Sequence, residues 1–171
     1  DYSVALVVLG ATDFGVPQNR ERMFLIGIRR DLYDAGTGAL KKEIEERLEA
    51  YHATPETVAD IIRDLGPAGT KQNPLTCTAK VAFAKAPIMR RSPYAGMLFN
   101  GAGRPIPSGG YSSTLPASMG GNKTPIVDEG EILNGLPSLI EEYHGSLMAG
   151  GCAPPGDAPQ RLRRLPIKES M

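Results

Sequence analysis

Two apolar runs open the chain, Ser3 to Leu9 and Arg22 to Ile28, and a turn built on Gly15, Val16 and Pro17 separates them. Both are rich in branched and bulky apolar residues, which predicts two β-strands. Within the turn, Pro17 fixes φ and removes a backbone donor while Gly15 permits a tight approach, so the segment delivers Gln18, Arg20 and Arg22 into the second strand. Residues two apart on a strand share a face, and these three side chains are expected on one side. The period then changes: Leu40, Ile44 and Leu48 fall on one face of a helix expected over Leu40 to Tyr51. Thr54-Pro-Glu-Thr57 supplies an N-cap and an N1 proline for a second helix, which Val58, Ile61, Ile62 and Leu65 carry before Gly66 and Pro67 end it. From Gly66 to Gly121 turn-forming residues dominate. Even so, Val81, Phe83, Ile88, Met97, Leu98, Phe99 and Leu115 are too many for a solvated linker, and a loop-dominated, strand-containing unit is expected. Ile132, Leu133, Leu136 and Leu139 suggest a short buried turn or helix, and Ala149 to Gly156 reads as a mobile loop. Arg161, Arg163, Arg164 and Lys168 form a basic end expected to fray.

Charge changes this picture through its placement. The formal net charge of the 171 residues is zero, yet no acidic residue lies between Lys71 and Val127, where Lys71, Lys80, Lys85, Arg90, Arg91, Arg104 and Lys123 all fall. The acids gather at Asp31 to Asp64 and Asp128 to Glu142. A one-signed stretch of this kind is the footprint of a phosphate-binding face, although charge segregation in a solvated loop region gives the same pattern. Cys77 and Cys152, with His52 and His144, supply no paired-cysteine spacing, so no structural metal site is expected. No apolar stretch is long enough to span a bilayer and no secretory leader precedes the first strand, which fits a cytoplasmic protein that does not enter membranes.

The chemistry-bearing stretch is Asp13-Phe-Gly-Val-Pro-Gln-Asn-Arg-Glu-Arg22 with the strand that follows it. Two fork-shaped guanidiniums and a carboxamide on one edge suit a phosphate and a base edge held at fixed geometry, and a strand face solvated by charge fits the spacing equally well. Beyond spacing, the block resembles the Gln-x-Arg-x-Arg motif of the DNA cytosine-5 methyltransferases. Two further stretches resemble that family in the same order: Ser113-Thr-Leu-Pro-Ala-Ser-Met-Gly-Gly-Asn122, like the core of its target recognition domain, and Arg163-Arg-Leu-Pro-Ile-Lys-Glu169, like the start of its next conserved block.

The resemblance implies an α/β fold: an edge remnant of a Rossmann-like methyltransferase sheet over residues 1–32, a loop-rich α+β target recognition domain over 33–160, and the truncated start of the next block over 161–171. It implies a parent enzyme that transfers a methyl group from S-adenosylmethionine to C5 of a cytosine flipped out of double-stranded DNA. Gln18, Arg20 and Arg22 would line the pocket of the flipped base. Thr114-Leu115 matches the dipeptide that holds DNA around that nucleotide, and Arg104, Ser113, Gly120, Gly121, Asn122 and Lys123 would contact DNA, although ordinary turn chemistry explains Gly-Gly-Asn equally well. The family's Pro-Cys nucleophile, its Glu-Asn-Val block and its cofactor loop, which lie upstream of the arginine block, are not found here in the right place. A start at Asp1 without methionine and an end at Met171 inside a block that should continue predict a fragment. Alone, it should be inactive and hold no cofactor. Phe99-Asn-Gly-Ala-Gly103 spells the cofactor-loop pattern, but Arg104-Pro-Ile-Pro cannot start the helix such a loop requires. Neither cysteine follows a proline as the family nucleophile does. A sheet edge stripped of neighbours would invite self-association. The alternatives are a non-catalytic DNA-binding or regulatory homologue and a plain protein-interaction domain.

Overall fold

The structure is a computed structural model that describes residues 1–33, 36–77, 79–100, 103–114 and 124–166. The chain divides into two compact units, Asp1–Glu56 and Thr57–Met171. Each is a mixed arrangement of helices and small sheets.

The first unit is built on β1 (Tyr2–Gly10) and β3 (Glu21–Arg29), antiparallel and in continuous register from Tyr2 opposite Arg29 to Gly10 opposite Glu21. These are the two strands the apolar runs predict. A 3-10 turn at Ala11–Asp13 and the short β2 (Gln18–Asn19) join them. Helix α1 (Thr37–Glu49) packs on β1, where Ser3, Ala5, Val7 and Leu40 are buried. Its start lies earlier than the apolar spacing suggests, because the helix reaches out of its buried face to Gly36, whose carbonyl accepts from the Ala39 and Leu40 amides. The outward face of α1 carries the ladders Lys41–Glu45, Lys42–Glu46 and Glu43–Arg47 at i,i+4 spacing. The opposite face of β1 has no helix on it among the described residues: Tyr2, Val4, Leu6 and Val8 are exposed, as are Met23 and Leu25 across the ladder.

The second unit begins with α2 (Val58–Leu65). Its N-cap is Thr57 and not Thr54, so Pro55 lies outside the helix. The reason is reciprocal capping: the Asp60 amide donates to Thr57 Oγ1 at 3.3 Å and the Thr57 amide donates to Asp60 Oδ2 at 3.0 Å. Strands β4 (Ala82–Ile88) and β5 (Met97–Asn100) form an antiparallel pair interrupted by a bulge between Phe83 and Ile88. β6 (Arg104–Pro105), β7 (Ser112–Ser113), β8 (Pro125–Asp128), α3 (Glu129–Asn134), α4 (Leu139–Met148) and β9 (Leu162–Arg164) follow. β8 is the middle strand of three, parallel to β6 and antiparallel to β9. Every residue of β8 is buried, and its alternation serves two cores. Ile126 joins Val81, Leu98, Phe99, Ile140, Tyr143 and Leu162, while Val127 joins Val58, Ile62, Ile106, Ile132 and Leu165.

Two expectations change here and one element is added. Helix α4 carries Ile140, Tyr143 and His144 into the core at helical spacing, over residues to which the sequence pattern assigned no element. The stretch Ala149 to Gly156 leads into a docked segment: the Phe83 amide donates to the Gly156 carbonyl at 3.1 Å, and Ala158 donates to Val81 at 2.7 Å. The basic end does not fray up to Pro166, because its arginines meet carboxylates. Arg161 holds buried Asp128 through Nε and Nη2, both at 2.7 Å, and Arg163 Nε donates to Glu129 at 2.6 Å. Asp128 also accepts from the amides of Glu131 and Leu139, so one carboxylate ties the starts of α3 and α4 to β9. Its hydrogen bonds raise the pKa of Arg161. Lys168 lies outside the described residues.

Candidate nucleic-acid interface

In the first unit the turn before the arginine block is fixed by backbone and carboxylate. Asp13 Oδ2 accepts from the Gly10 amide at 3.3 Å, the Asp13 carbonyl accepts from Ala53 at 3.0 Å, and Phe14 sets its edge against His52 at 5.1 Å. Gly15 occupies φ +80°, a conformation that favours glycine. The Ala11 amide then donates to the Arg20 carbonyl at 2.8 Å, closing the turn. Beneath it opens a polar cleft of about 290 Å³ lined by Gly10, Thr12, Asn19, Arg20 and Glu21.

The predicted trio is therefore distributed over an interrupted element. Gln18 is half-buried in β2, its amide donating to the Val16 carbonyl at 2.7 Å. Arg20 stands between β2 and β3, exposed, and lines the cleft. Arg22 lies in β3 opposite Leu9, exposed, with Nη1 donating to the Glu21 carbonyl at 2.7 Å. Thr12 and Asn19 were not singled out from sequence. Thr12 reaches the cleft only because the Ala11–Arg20 hydrogen bond folds the turn back, and no spacing rule encodes that.

In the second unit Arg104 opens β6 with its side chain exposed, and its amide donates to the Thr124 carbonyl at 2.9 Å. Ser113 ends β7, exposed, and half-buried Thr114 follows it. Leu115, Gly120, Gly121, Asn122 and Lys123 lie outside the described residues. After Gly103 the chain enters β6 and not a helix, so no helix N-terminus follows Gly103 as it does in a nucleotide-type loop.

Pairing separates the cations into two groups. Arg29, Arg47, Arg63, Arg161 and Arg163 all bond a carboxylate, and Lys80 meets Asp157 at 3.0 Å. Arg29 holds the Asp31 carboxyl below its usual range through a paired hydrogen bond. By contrast Arg20, Arg22, Arg30, Lys71, Lys85, Arg90, Arg91 and Arg104 are exposed and form no ion pair among the described residues. Cations left without carboxylates are those available to an external polyanion.

An exposed guanidinium pair on a strand entry, together with unpaired cations in a loop-rich second unit, describes a protein suited to phosphate-bearing ligands. Residues 1–125 match the C-5 cytosine-specific DNA methylase family, and the chain belongs to that family. Among curated proteins, the Type II methyltransferase M.BspRI of Lysinibacillus sphaericus is 36% identical over 67 residues, which are 39% of this chain and 16% of that protein. The chain thus spans a small part of the length of the relative it matches. No solved structure matches it.

Proposed function

We propose that this chain is the DNA-recognition part of a cytosine-5 DNA methyltransferase and supplies one wall of its base pocket. The parent enzyme moves a methyl group from S-adenosylmethionine to C5 of a flipped cytosine, and the chain alone is inactive. In this reading residues 1–32 close the catalytic domain and its Rossmann-like sheet, 33–160 form the target recognition domain, and 161–171 start the next block. The observation that supports the proposal is the pairing state of the candidate arginines. Arg20 and Arg22 in the first unit and Arg104 in the second face solvent without carboxylates, as do Arg30, Arg90 and Arg91, while Arg29, Arg47, Arg63, Arg161 and Arg163 are ion-paired.

Each group has a role that follows from its chemistry. Arg20, in its polar cleft with Thr12 and Asn19, holds the phosphate beside the flipped nucleotide. Arg22 braces the base and Gln18 supplies a carboxamide to its edge. Base flipping removes stacking and pairing energy, so fixed cations at the phosphate favour the extruded state. Arg104 and Lys123 contact the duplex backbone; Ser113, Thr114, Leu115, Gly120, Gly121 and Asn122 approach the DNA around the target.

The test is methyl transfer from labelled S-adenosylmethionine to mixed-sequence duplex DNA, run on this chain and on the longer gene product that contains it. Activity is expected in the longer protein only, and Arg22→Ala should lower it without loss of folding. Full activity of the longer Arg22→Ala protein would remove Arg22 from the pocket. Duplex binding with no transfer by either protein would replace the enzyme with a non-catalytic DNA-binding homologue.

A further inference from the structure

Arg164 brings a hydroxyl into the contacts of the basic end. Arg161 and Arg163 reach carboxylates, and Arg164 directs Nε at 3.0 Å and Nη2 at 2.6 Å to the single hydroxyl oxygen of Thr124. Thr124 is 6% exposed and stands immediately before β8, so it has little freedom to move once that oxygen is held. Its carbonyl accepts the Arg104 amide, and this bond begins the β6–β8 pairing that Ile106 continues to Ile126 at 3.0 Å. On the other side Gly103 takes φ +107°, and a Cβ there would run into the Thr124 carbonyl. Arg104 therefore leaves the sheet from a point defined by three atoms of Thr124: the hydroxyl, the carbonyl carbon and the carbonyl oxygen.

We propose that Arg164 is a positioning residue for DNA binding: through the Thr124 hydroxyl it fixes the strand end from which Arg104 reaches a phosphodiester. The inference rests on the reading of Arg104 as a DNA contact. A planar fork on one oxygen sets both distance and direction, which a lysine ammonium on the same hydroxyl does not. Thr124 is thereby held from β9 by a side chain and from β6 by a backbone bond, and Lys123 precedes it directly in the chain.

The experiment is duplex DNA binding by the 171-residue chain, measured by fluorescence anisotropy at two salt concentrations, with amide exchange followed in parallel. Thr124→Val removes the hydroxyl at nearly constant shape. It should weaken binding about tenfold, as expected for loss of a charge-assisted hydrogen bond, while Thr124→Ser binds as wild type. Arg164→Lys should fall between them. Arg104→Ala combined with Thr124→Val should bind no more weakly than Arg104→Ala alone, because both act through one contact. Exchange at the Arg104 amide should quicken in Thr124→Val more than at the Leu165 amide, which is held by Pro125. Additive losses in the double variant, or wild-type binding by Thr124→Val beside a weakened Arg104→Ala, overturn the positioning role and leave DNA recognition standing. If Arg104→Ala binds as wild type, the reading of Arg104 as a DNA contact fails instead, and the proposal falls with it.

Discussion

Tyr143 shows how much a single atom can matter inside the second unit. Its ring packs edge-on against Phe83 at 4.8 Å and lies 5.9 Å from Phe99, in the core beside β8. Its hydroxyl has no hydrogen-bond partner among the described residues, and burial raises its pKa. A buried hydroxyl left unbonded loses its hydration without compensation. Tyr143→Phe keeps the ring and removes the polar atom, so chemical denaturation should find the variant at least as stable as wild type, by up to about 1 kcal/mol. A clear loss of stability would mean that the hydroxyl is bonded in solution. The arginines give the complementary lesson at this scale. Arg161 and Arg163 looked like a free basic tail because Asp128 and Glu129, their partners, lie more than 30 positions earlier in the chain. Sequence shows the charges of both groups but not that the fold brings them together.

At the scale of elements, α2 illustrates what local pattern can and cannot fix. Its core-facing Val58 and Ile62 and its Gly66 end were legible from spacing, but its start was not, since Thr54 and Thr57 are both acceptable caps and only Thr57 has an aspartate three residues on. Thr57→Ala should lower stability by about 1 kcal/mol, readable as a lower denaturation midpoint. Hydrogen bonds from the Thr57 side chain and amide, in that order of effect, hold the Asp60 carboxyl below its usual pKa. The sign follows directly: a depressed carboxylate contributes stability fully above its ordinary pKa of about 4, and the contribution fades as pH falls through the folded value. The gap between wild type and Asp60→Asn should therefore shrink as the midpoint is measured at successively more acid pH. A gap independent of pH would remove the capping role. Strands β1 and β3 were legible for a simpler reason, their long uninterrupted apolar runs. α4 also carried a readable signal in Ile140, Tyr143, His144 and Leu147, but glycine at 145 and short flanking loops obscured it. The interruption of the arginine element at Arg20 had no sequence mark, because it depends on which carbonyl the Ala11 amide finds.

Across the whole molecule, the exposed side of the first unit bears most directly on behaviour in solution. β1 is apolar on both faces, the pattern of a strand covered on two sides, and α1 covers one. On the other, Leu25 is 74% exposed and Met23 68%, continuous with Leu6 and Val8 across the ladder. Glu21 closes this face at one end and the Arg29–Asp31 ion pair at the other. A contiguous apolar surface of this kind favours association. Sedimentation velocity on the isolated chain should show concentration-dependent association, and Leu6→Lys with Leu25→Lys should restore the monomer; equal behaviour of the two proteins would exclude this face.

The order of strands around β8 bears on how the second unit is made. β8 lies at residues 125–128, but one of its two neighbours, β9, is at 162–164, and the carboxylate at its end waits for Arg161. During synthesis the chain emerges from its N-terminus, so β8 leaves the ribosome with an open side and a buried-type sequence on both faces. Helices α3 and α4 must form and turn the chain back before that side closes. The central sheet is thus completed only when β9, made well after β8, arrives, and until then the open side of β8 is exposed to pairing with foreign strands.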